Sequence, residues 1–579
     1  MEKVDYKGKG VHVSMTKNFG RLFEKILHIM TALEIVLAYL YVLDLFKPSY
    51  TALFHGTIWS SVYSLGLSDH GLYGLIPLLA ISLALALCAY EAGGFKAVKP
   101  FKLACYVLAT LTFMNLPLLL YWMAYMWNPR LLLGYGFRLY ATLSDIDASL
   151  FHIYAPLYPL LLLVTLYAWL LLPIRRVLKG CMSLKIRYNR ILNTANDYQP
   201  LKGTFAKRLC LASALLLSIA LPIIPYFPTI NPEFKPVSVD ILFYSRWLDN
   251  MLTVNDWNWS TIKYAFYGNR PLYLLLLYSL TKLGIPKKII LNFEALLISP
   301  LFVLTVYYAA KRLSGDDLYA LLSSLAAVLG FNMTVGMMAG FFAAWTALIP
   351  FYICVALTPR LTDGSLKSLS IALVSSIGML YIHPWTWSLL MAILTLHLAS
   401  STLQSLRKGN FKLDKHLLTV LIGNAIADIV KTITYPNYGG LASSTDVLGY
   451  SKAFGLEPLL DLPRNLQRLT VSYVDGLFFN PLHMALALIG VLSLSKKGDS
   501  LSRLFIIWLA VVSLIFPFSN VDLQSHLLFA TPFPILIAEG LWALSRLLAR
   551  FDGKLPRLLQ AFFIVSSLTY AIRALCNLI

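Results

Sequence analysis

The sequence contains 579 residues, of which 58% are hydrophobic and only 13% are charged. Soluble domains carry about 25% charged residues, and a single water-soluble core has no room for so many apolar side chains. A soluble globular protein is therefore excluded. The formal net charge of +20 comes largely from basic residues in short segments between apolar blocks, which is typical of membrane-topology determinants rather than of nucleic-acid binding.

Apolar blocks of about 20 residues follow one another along the chain, and this is the length that a helix needs to cross a bilayer. Strands of a membrane barrel alternate apolar and polar residues, which these blocks do not. We therefore predict an all-α, polytopic transmembrane helical bundle of about 15 spans, since helices satisfy their own backbone polar groups in lipid. The predicted spans lie near residues 26–46, 72–92, 103–127, 152–173, 209–226, 271–284, 289–310, 316–336, 340–358, 368–400, 415–433, 480–495, 504–519, 525–545 and 558–577.

The basic segment 174–208 divides the chain. Residues 1–173 are predicted to form an N-terminal membrane unit of about four spans, and residues 209–579 a membrane core of about eleven spans. The core contains two long polar loops, 227–270 and 434–479. The second loop is too long for a plain connector and is predicted to fold over a cavity as a lid. Segment 174–208 is accordingly predicted to be a cytoplasmic linker.

Basic residues also predict the orientation, because short cytoplasmic loops are enriched in Lys and Arg. The basic N-terminus is expected in the cytoplasm, and its first apolar block is too long for a signal-peptide core. Both long polar loops of the core are expected outside, and the plasma membrane is the default location. Lys287, Lys288 and Arg407 are expected inside.

The basic segments near residues 288 and 410 are both expected on the cytoplasmic side, so the number of membrane crossings between them must be even. The apolar segment 368–400 is therefore expected to be one net crossing. His383-Pro384 lies in its middle, and proline removes a backbone donor and disfavours helix at the residue before it. We predict a broken helix there, with backbone that lines a cavity.

Motifs for several other functions are absent. The chain has no GxxxxGK[ST] phosphate loop, no HExxH and no GxSxG, so ATP-driven transport and zinc-dependent hydrolysis lose support. The six cysteines include no CxxC pair, and no metal site or cofactor is predicted. Glu34 and Asp428 lie in apolar blocks, where an acid is a functional candidate by default; Asp428 also has Lys431 nearby as an ion-pair partner.

The first long loop contains an amphipathic segment. Asp240, Phe243, Trp247 and Met251 recur at helical spacing, which predicts a helix over 237–252 lying along the outer membrane surface. Asp240 stands at its start, where a carboxylate beside aromatic rings can act as a general base for a hydroxyl group. An N-cap is the alternative role, because Asp is favoured at helix N-termini.

Three short motifs then occur in order. Asp240 and Tyr244 form an Asp-x-x-x-Tyr pattern, residues 268–272 read Gly-Asn-Arg-Pro-Leu at the entry to the next span, and residues 525–541 read SHLLFATPFPILIAEGL. Together they resemble the GT-C membrane glycosyltransferases, which include the protein O-mannosyltransferase and aminoarabinose transferase families. The resemblance covers residues 209–577 and implies a GT-C-like core with the amphipathic helix in its first outside loop.

The resemblance implies transfer of a sugar from a polyprenyl-phosphate donor to an acceptor on the extracytoplasmic face. The acid of the first outside loop is the catalytic base of the family, and Asp240 takes that place. The family often has a second acid beside it, where this chain has Ile241; Asp249 and Asp256 are distant substitutes. The late helix of the family usually opens with an Arg that holds the donor phosphate, and His526 takes that place.

This reaction requires cations for the donor phosphate and a cavity for sugar and lipid. The candidates for binding the donor phosphate and lipid are Arg270, His526, Arg246, Lys263, Arg464 and Arg468. The candidates for lining the substrate cavity are Tyr244, Trp247, His383, Trp385, Tyr435 and Tyr438. Expected partners are membrane lipids, the polyprenyl-phosphate sugar and a protein or glycan acceptor.

Structural roles are the alternatives for several of these residues. Arg270 is equally placed to anchor the next span at the interface, and the loop tryptophans to form an interfacial belt. His383 is expected to bond to backbone at the helix break, and His526 to pack at the interface or to contact phosphate.

Two other classes of function stay open. A secondary transporter or lipid flippase would show repeated halves, broken helices in matching positions and paired intramembrane charges. A non-catalytic scaffold subunit would need no cluster of chemical groups. An enzyme of this type predicts that Asp240, Arg270, His526 and loop 434–479 meet around one cavity that opens to both lipid and the outer face. A transporter predicts polar residues at the membrane midplane.

Overall fold

A computed structural model gives the architecture for part of the chain. The described residues are 119–120, 122–123, 126, 158–170, 204–253, 265, 270–409, 411, 413–434, 456–467, 469, 480–497, 499–549, 555–576 and 578. The predicted spans near 26–46 and 72–92, with Glu34, lie outside the described residues, as do most of the span near 103–127 and most of the linker.

The chain divides into two compact units. The first comprises residues 1–161, 172–200 and 543–569, and its described part is helical. The second comprises residues 162–171, 201–542 and 570–579. All residues of the candidate site belong to the second unit. The domain boundary in segment 174–208 stays a prediction.

The described residues are overwhelmingly helical and contain no β-strand, which confirms the all-α class. Short 3₁₀ turns extend three of the helices. The α-helices are α1 (Tyr158–Tyr167), α2 (Thr204–Ala220), α3 (Ile241–Thr253), α4 (Pro271–Lys282), α5 (Lys287–Phe293), α6 (Ala295–Ser314), α7 (Asp317–Val328), α8 (Phe331–Ala339), α9 (Phe342–Thr362), α10 (Leu366–Ile382), α11 (Pro384–Arg407), α12 (Lys415–Thr434), α13 (Leu456–Leu460), α14 (Leu462–Gln467), α15 (Pro481–Lys497), α16 (Ser500–Ile515), α17 (Val521–Phe529), α18 (Phe533–Ala549) and α19 (Leu555–Cys576).

Seven helical segments of the described chain are long and apolar enough to cross a membrane. They are Lys287–Ser314, Asp317–Ala339, Phe342–Leu361, Pro384–Arg407, Lys415–Ile433, Ser500–Phe518 and Leu555–Cys576. The pair α17 and α18 is an eighth candidate, bent by 54°. The protein is therefore membrane-embedded and multi-pass.

The predicted helix break at His383-Pro384 is present. Helix α10 ends at Ile382 and α11 begins at Pro384, so His383 alone connects them, with extended backbone at φ −154° and ψ 96°. Pro384 is the first residue of α11, where its missing N–H costs nothing because that group has no partner inside a helix.

The side-chain contacts show that segment 368–400 contains two helices that run in opposite directions. Asn424 Nδ2 donates to Ser376 Oγ at 2.7 Å, and Lys431 Nζ donates to the carbonyl of Leu380 at 3.3 Å. The earlier residue of α10, Ser376, contacts the earlier residue of α12, Asn424, and the later residues Leu380 and Lys431 contact each other. Helices α10 and α12 therefore run parallel. Because α11 connects α10 to α12, it runs antiparallel to both, and the expectation of one net crossing is wrong.

The same count corrects the position of Lys287. Its Nζ forms an ion pair with Asp249 at 2.5 Å, yet the two residues are predicted on opposite sides of the membrane. Five helical passes separate Lys287 from Arg407: Lys287–Ser314, Asp317–Ala339, Phe342–Thr362, Leu366–Ile382 and Pro384–Arg407. An odd number of passes places Lys287 and Arg407 at opposite ends. Lys287 therefore lies at the same end as Asp249, and the prediction that Lys287 and Arg407 share one side of the membrane is wrong.

Two glycines bring α15 and α18 into direct backbone contact. A Cβ atom added to Gly490 would lie 1.9 Å from the carbonyl oxygen of Leu536, and one added to Gly540 would lie 1.9 Å from that of Leu486. Small residues at such crossings allow close approach of membrane helices, which gain stability from packing rather than from the hydrophobic effect. The crossing therefore depends on glycine at both positions.

A buried acid lies beside this crossing. Glu539 in α18 is 1% exposed, and its carboxylate accepts hydrogen bonds from Ser493 Oγ and Lys497 Nζ, both at 2.6 Å. Ser493 and Lys497 are one turn apart on α15, so both oxygens of the carboxylate are satisfied by one helix. Such pairing is what a buried charge requires.

A polar trio connects the three helices α10, α11 and α12. Trp387 Nε1 donates to Asn424 Oδ1 at 2.9 Å, and the amide of Asn424 also donates to Ser376 Oγ. All three side chains are buried. Hydrogen bonds of this kind join helices inside membranes at about 0.6–2 kcal/mol each.

Replacing Asn424 by alanine is expected to lower the free energy of unfolding by about 1 kcal/mol, because the substitution removes two interhelical bonds and leaves Trp387 Nε1 buried without its acceptor. The measurement is thermal unfolding of the purified protein in detergent. Ser370→Ala is the control, since Ser370 is exposed on α10 and bonds only within its own helix. Equal unfolding temperatures for both variants would contradict the prediction.

Candidate functional site

The segment that precedes α3 is held against the end of α8. The last carbonyls of a helix have no partner inside it. Residues 238–240 supply donors to three successive carbonyls, those of residues 337–339. Ser238 Oγ bonds the first, and the N–H groups of Val239 and Asp240 bond the next two at 3.1 Å each. The backbone of Asp240 is therefore fixed by the helix end.

Gly340 makes this close approach possible. It ends α8 in the left-handed conformation, with φ 74°, which glycine adopts without strain. A Cβ atom at this position would lie 3.0 Å from the backbone nitrogen of Asp240 and 3.0 Å from Ser238 Cβ. The turn between α8 and α9 therefore packs directly on the acid.

The predicted amphipathic helix is present as α3, which begins at Ile241 rather than at residue 237. Asp240 occupies the N-cap position, because its carbonyl accepts from the N–H groups of Phe243 at 3.0 Å and Tyr244 at 3.2 Å. The position thus agrees with the predicted start of the helix. Whether the carboxylate is a base stays a prediction.

The buried face of α3 differs from the predicted one. The buried residues are Ile241, Tyr244, Leu248 and Met251, whereas Phe243 is 45% exposed. The sequence pattern includes Met251 but is otherwise displaced by one position, because aromatic residues occur on both faces. As a result Tyr244, and not Phe243, points into the protein.

Tyr244 and Arg270 form the centre of the site. Arg270 Nη1 donates to Tyr244 Oη at 2.6 Å, and the guanidinium lies 5.8 Å from the centroid of the tyrosine ring. Burial raises the pKa of Tyr244, the charge of Arg270 opposes this, and the carboxyl groups of Asp240 and Glu294 raise it further. Asp240 is therefore within electrostatic reach of the Tyr244–Arg270 pair.

Two histidines complete the site. The rings of His383 and His526 are 5.7 Å apart, and Phe341 stacks on His526 at 4.3 Å. The charge of Arg270 acts on both imidazoles. His383 Nδ1 also accepts the backbone N–H of Thr386 at 3.3 Å, which confirms that it bonds to backbone at the break.

Five predicted residues therefore come together from four separate parts of the sequence. We call this group the polar cluster: Asp240, Tyr244, Arg270, His383 and His526. It combines an acid, a permanent cation and two imidazoles. His526 Nδ1 is buried and has no hydrogen-bond partner among the described residues.

An apolar cavity of about 650 Å³ begins at the two histidines. Its walls are formed mainly by α11 and α17, and they include Trp385, Leu389, Ala392, Leu396, Leu523 and, from the end of α16, Ile515. The predicted cavity residues His383 and Trp385 are thus part of its lining. Leu396, one of its lining residues, is 47% exposed, so the cavity reaches the surface of the protein. We call it the apolar groove.

Of the remaining predicted residues, Arg246 and Trp247 are described and do not join the cluster. Arg246 is exposed on α3, Trp247 is half-buried and packs against Phe243 with ring centroids 6.1 Å apart, and Arg464 belongs to α14. Asp249 is paired with Lys287. Lys263, Arg468, Tyr435, Tyr438 and Asp256 lie outside the described residues, as does most of the predicted lid.

Sequence reasoning missed Glu294 and Tyr273, which lie directly behind Tyr244. Tyr273 Oη donates to Glu294 Oε2 at 2.5 Å, and the rings of Tyr273 and Tyr244 pack edge to face at 5.2 Å. A signal was available, because Glu294 is the single acid in the apolar block 289–310 and intramembrane acids are functional candidates.

Within the described residues, no group of three or more His, Cys, Asp or Glu side chains is arranged to hold a metal ion. No family model matches the sequence, and no curated protein matches it. The function is therefore argued from the polar cluster and the apolar groove.

Proposed function

We propose that the protein is a membrane glycosyltransferase of GT-C type, which transfers a sugar from a polyprenyl-phosphate donor to an acceptor on the extracytoplasmic face. The observation that carries this proposal is that two members of the polar cluster, His383 and His526, line the apolar groove. A lipid-linked sugar phosphate has the matching chemistry, since it joins an anionic, hydroxyl-rich head to an apolar chain.

Arg270 is the expected partner of the donor phosphate. Its guanidinium is always charged and presents donors in a planar fork that suits phosphate oxygens. His383 and His526 face the same region, and neutral imidazoles donate weaker hydrogen bonds. Arg270, rather than His526 at the start of the late helix, is therefore proposed to be the main cation that binds the donor phosphate.

Asp240 is proposed as the general base. It accepts the proton of an acceptor hydroxyl while the acceptor oxygen bonds to the anomeric carbon of the donor sugar. The bond between that carbon and the phosphate oxygen breaks, and the lipid phosphate leaves with the electron pair. Arg270 stabilises the negative charge that develops on the leaving phosphate.

The apolar groove is proposed to hold the lipid chain next to the phosphate. Its lining follows α11 from His383 to Leu396, about 20 Å of helix at 1.5 Å per residue. The open end at Leu396 allows the rest of the chain to stay in the bilayer. The groove therefore needs to bind only the part of the lipid nearest to the head.

Charge supports an outside position for the polar cluster. The ends of the helices away from the cluster carry many basic residues, which are typical of cytoplasmic ends. These residues are Lys311, Arg312, Arg360, Lys367, Arg407, Lys408, Lys415, Lys496, Lys497 and Arg503. A cytoplasmic N-terminus, about 15 spans in the plasma membrane and a GT-C-like core belong to the same proposal.

A secondary transporter is the second candidate. Two interrupted helices meet at one cavity, since both His383 and Ala530, next to the bend between α17 and α18, line the apolar groove. Interrupted helices around a site are typical of transporters. Against this, Asp240 is hydrogen-bonded to Ala339, the last residue of the candidate span Asp317–Ala339, and so this acid lies at one end of the bundle rather than at its middle.

The proposal is tested by lipid binding and turnover. We expect the wild-type protein in nanodiscs to bind a polyprenyl phosphate at least about tenfold more tightly than the neutral polyprenol, a difference of about 1.4 kcal/mol. Arg270→Met should remove this preference because it removes the phosphate partner. The measurement is native mass spectrometry of lipid-bound protein, and Arg312→Met at the opposite end is the control.

Turnover separates the two candidates. With a polyprenyl-phosphate sugar and an acceptor extract, the enzyme releases free lipid phosphate, whereas a transporter moves the donor across a vesicle membrane without cleaving it. If the wild type binds polyprenyl phosphate and polyprenol equally tightly, the phosphate site is overturned for the glycosyltransferase and for the transporter alike.

A further inference from the structure

A second buried acid stands behind the polar cluster. Glu294 lies between α5 and α6, in the first third of the continuous helical segment Lys287–Ser314. It is 6% exposed. Its Oε2 accepts the hydroxyl proton of Tyr273, while Oε1 is buried and has no hydrogen-bond partner among the described residues. The acid is therefore only half satisfied.

A continuous set of contacts leads from this acid to the guanidinium. Tyr273 is 1% exposed, and its ring packs on the ring of Tyr244, which is fully buried. Tyr244 accepts the hydrogen bond from Arg270. Each contact is made by a side chain with little room to move, so the position of Glu294 fixes the two rings and, through Tyr244, one face of the guanidinium.

We propose that Glu294 is the second acid of this site and a positioning residue for Arg270, acting through Tyr273 and Tyr244; this inference rests on the proposed function. It replaces the earlier expectation that Asp249 or Asp256 supplies that acid, since Asp249 is paired with Lys287 away from the cluster.

A purely structural role would be served better by another residue. Glutamine would offer Tyr273 the same acceptor without a partly satisfied carboxyl in the protein interior, which is unfavourable for folding. What glutamine lacks is the ionisable carboxyl group, whose negative form acts on both Tyr244 and Tyr273. Glu294 and Asp240 thus both act on the Tyr244–Arg270 pair, and Glu294 does so without lining the groove.

The experiment is a double-mutant cycle on lipid binding by the full chain in phosphatidylcholine nanodiscs, with a polyprenyl phosphate and the corresponding polyprenol as probes. Glu294→Gln is expected to weaken binding of the phosphate about tenfold and to leave binding of the alcohol unchanged. Tyr273→Phe, which breaks the contact to Glu294, should have the same effect. In the Arg270→Met background, Glu294→Gln should cause no further loss, because residues that act through one partner are not additive.

Glu539→Gln is the matched control, since Glu539 is an equally buried acid whose partners Ser493 and Lys497 lie on α15. Its effect on phosphate binding should be small and should add to that of Arg270→Met. If Glu294→Gln weakens both lipids equally, or adds fully to Arg270→Met, the positioning role is overturned while the proposed function stands. If the wild type does not prefer phosphate over alcohol, both proposals fall.

Discussion

Replacing Asp240 by asparagine is expected to lower the rate of sugar transfer by about 10²–10⁴-fold, the range that a general base contributes. The backbone contacts of Asp240 to α8 remain, and asparagine has nearly the same shape, so the fold and the binding of polyprenyl phosphate should be unchanged. The measurement is single-turnover release of lipid phosphate from a polyprenyl-phosphate sugar by protein in nanodiscs.

Asp249→Asn is the control for this prediction. Asp249 lies on the same helix but forms a surface ion pair with Lys287, and exposed ion pairs contribute about 0–1 kcal/mol to stability. Its turnover should match that of the wild type. Unchanged turnover in Asp240→Asn would remove the catalytic assignment, and a loss confined to Asp249→Asn would show that the base lies elsewhere on α3.

Gly540→Ala is expected to lower the free energy of unfolding by about 3 kcal/mol, at the upper end of the cost of overpacking. The new methyl group would lie 1.9 Å from the carbonyl oxygen of Leu486, and a backbone atom cannot rotate away as a side chain can. Helices α15 and α18 would have to separate, which also disturbs the bonds of Glu539 to α15. The measurement is thermal unfolding in detergent.

Gly378→Ala provides the matched comparison. Gly378 is also inside a helix, α10, but an added Cβ atom there meets nothing within 4 Å. Alanine should stabilise the protein by about 0.5–1 kcal/mol, because glycine loses more conformational freedom on folding. Similar unfolding temperatures for the two variants would show that α15 and α18 do not cross as closely as the structure indicates.

Much of the fold follows from the sequence because apolar length alone defines a membrane helix. The described spans fall near their predicted positions, and the break at His383 follows from the proline after it. The number of crossings in 368–400 did not follow, since apolar length does not say whether a chain reverses at a break. Side-chain contacts such as Asn424 with Ser376 were needed to fix the helix directions.

The candidate site was predicted less completely. Asp240, Arg270 and His526 were chosen from short motifs in a shared order, and the structure brings them together with His383. The buried face of α3 was displaced, because Phe243, Tyr244 and Trp247 offer two aromatic faces and only tertiary packing selects one. Glu294 was missed although it is the single acid in the apolar block 289–310; its local sequence does not show that a tyrosine from another helix reaches it.

The double role of His383 affects how variants of the site should be interpreted. This residue lines the apolar groove, and it also caps the first turn of α11 through Thr386 while joining two antiparallel helices. A substitution at 383 removes an imidazole from the groove and also removes the cap at the connection between α10 and α11. Lost activity in such a variant would not separate a chemical role from a folding role. His526 is different, because it does not connect two helices: it lies in the last turn of α17, and its ring stacks on Phe341. A substitution at 526 therefore reports more directly on the imidazole.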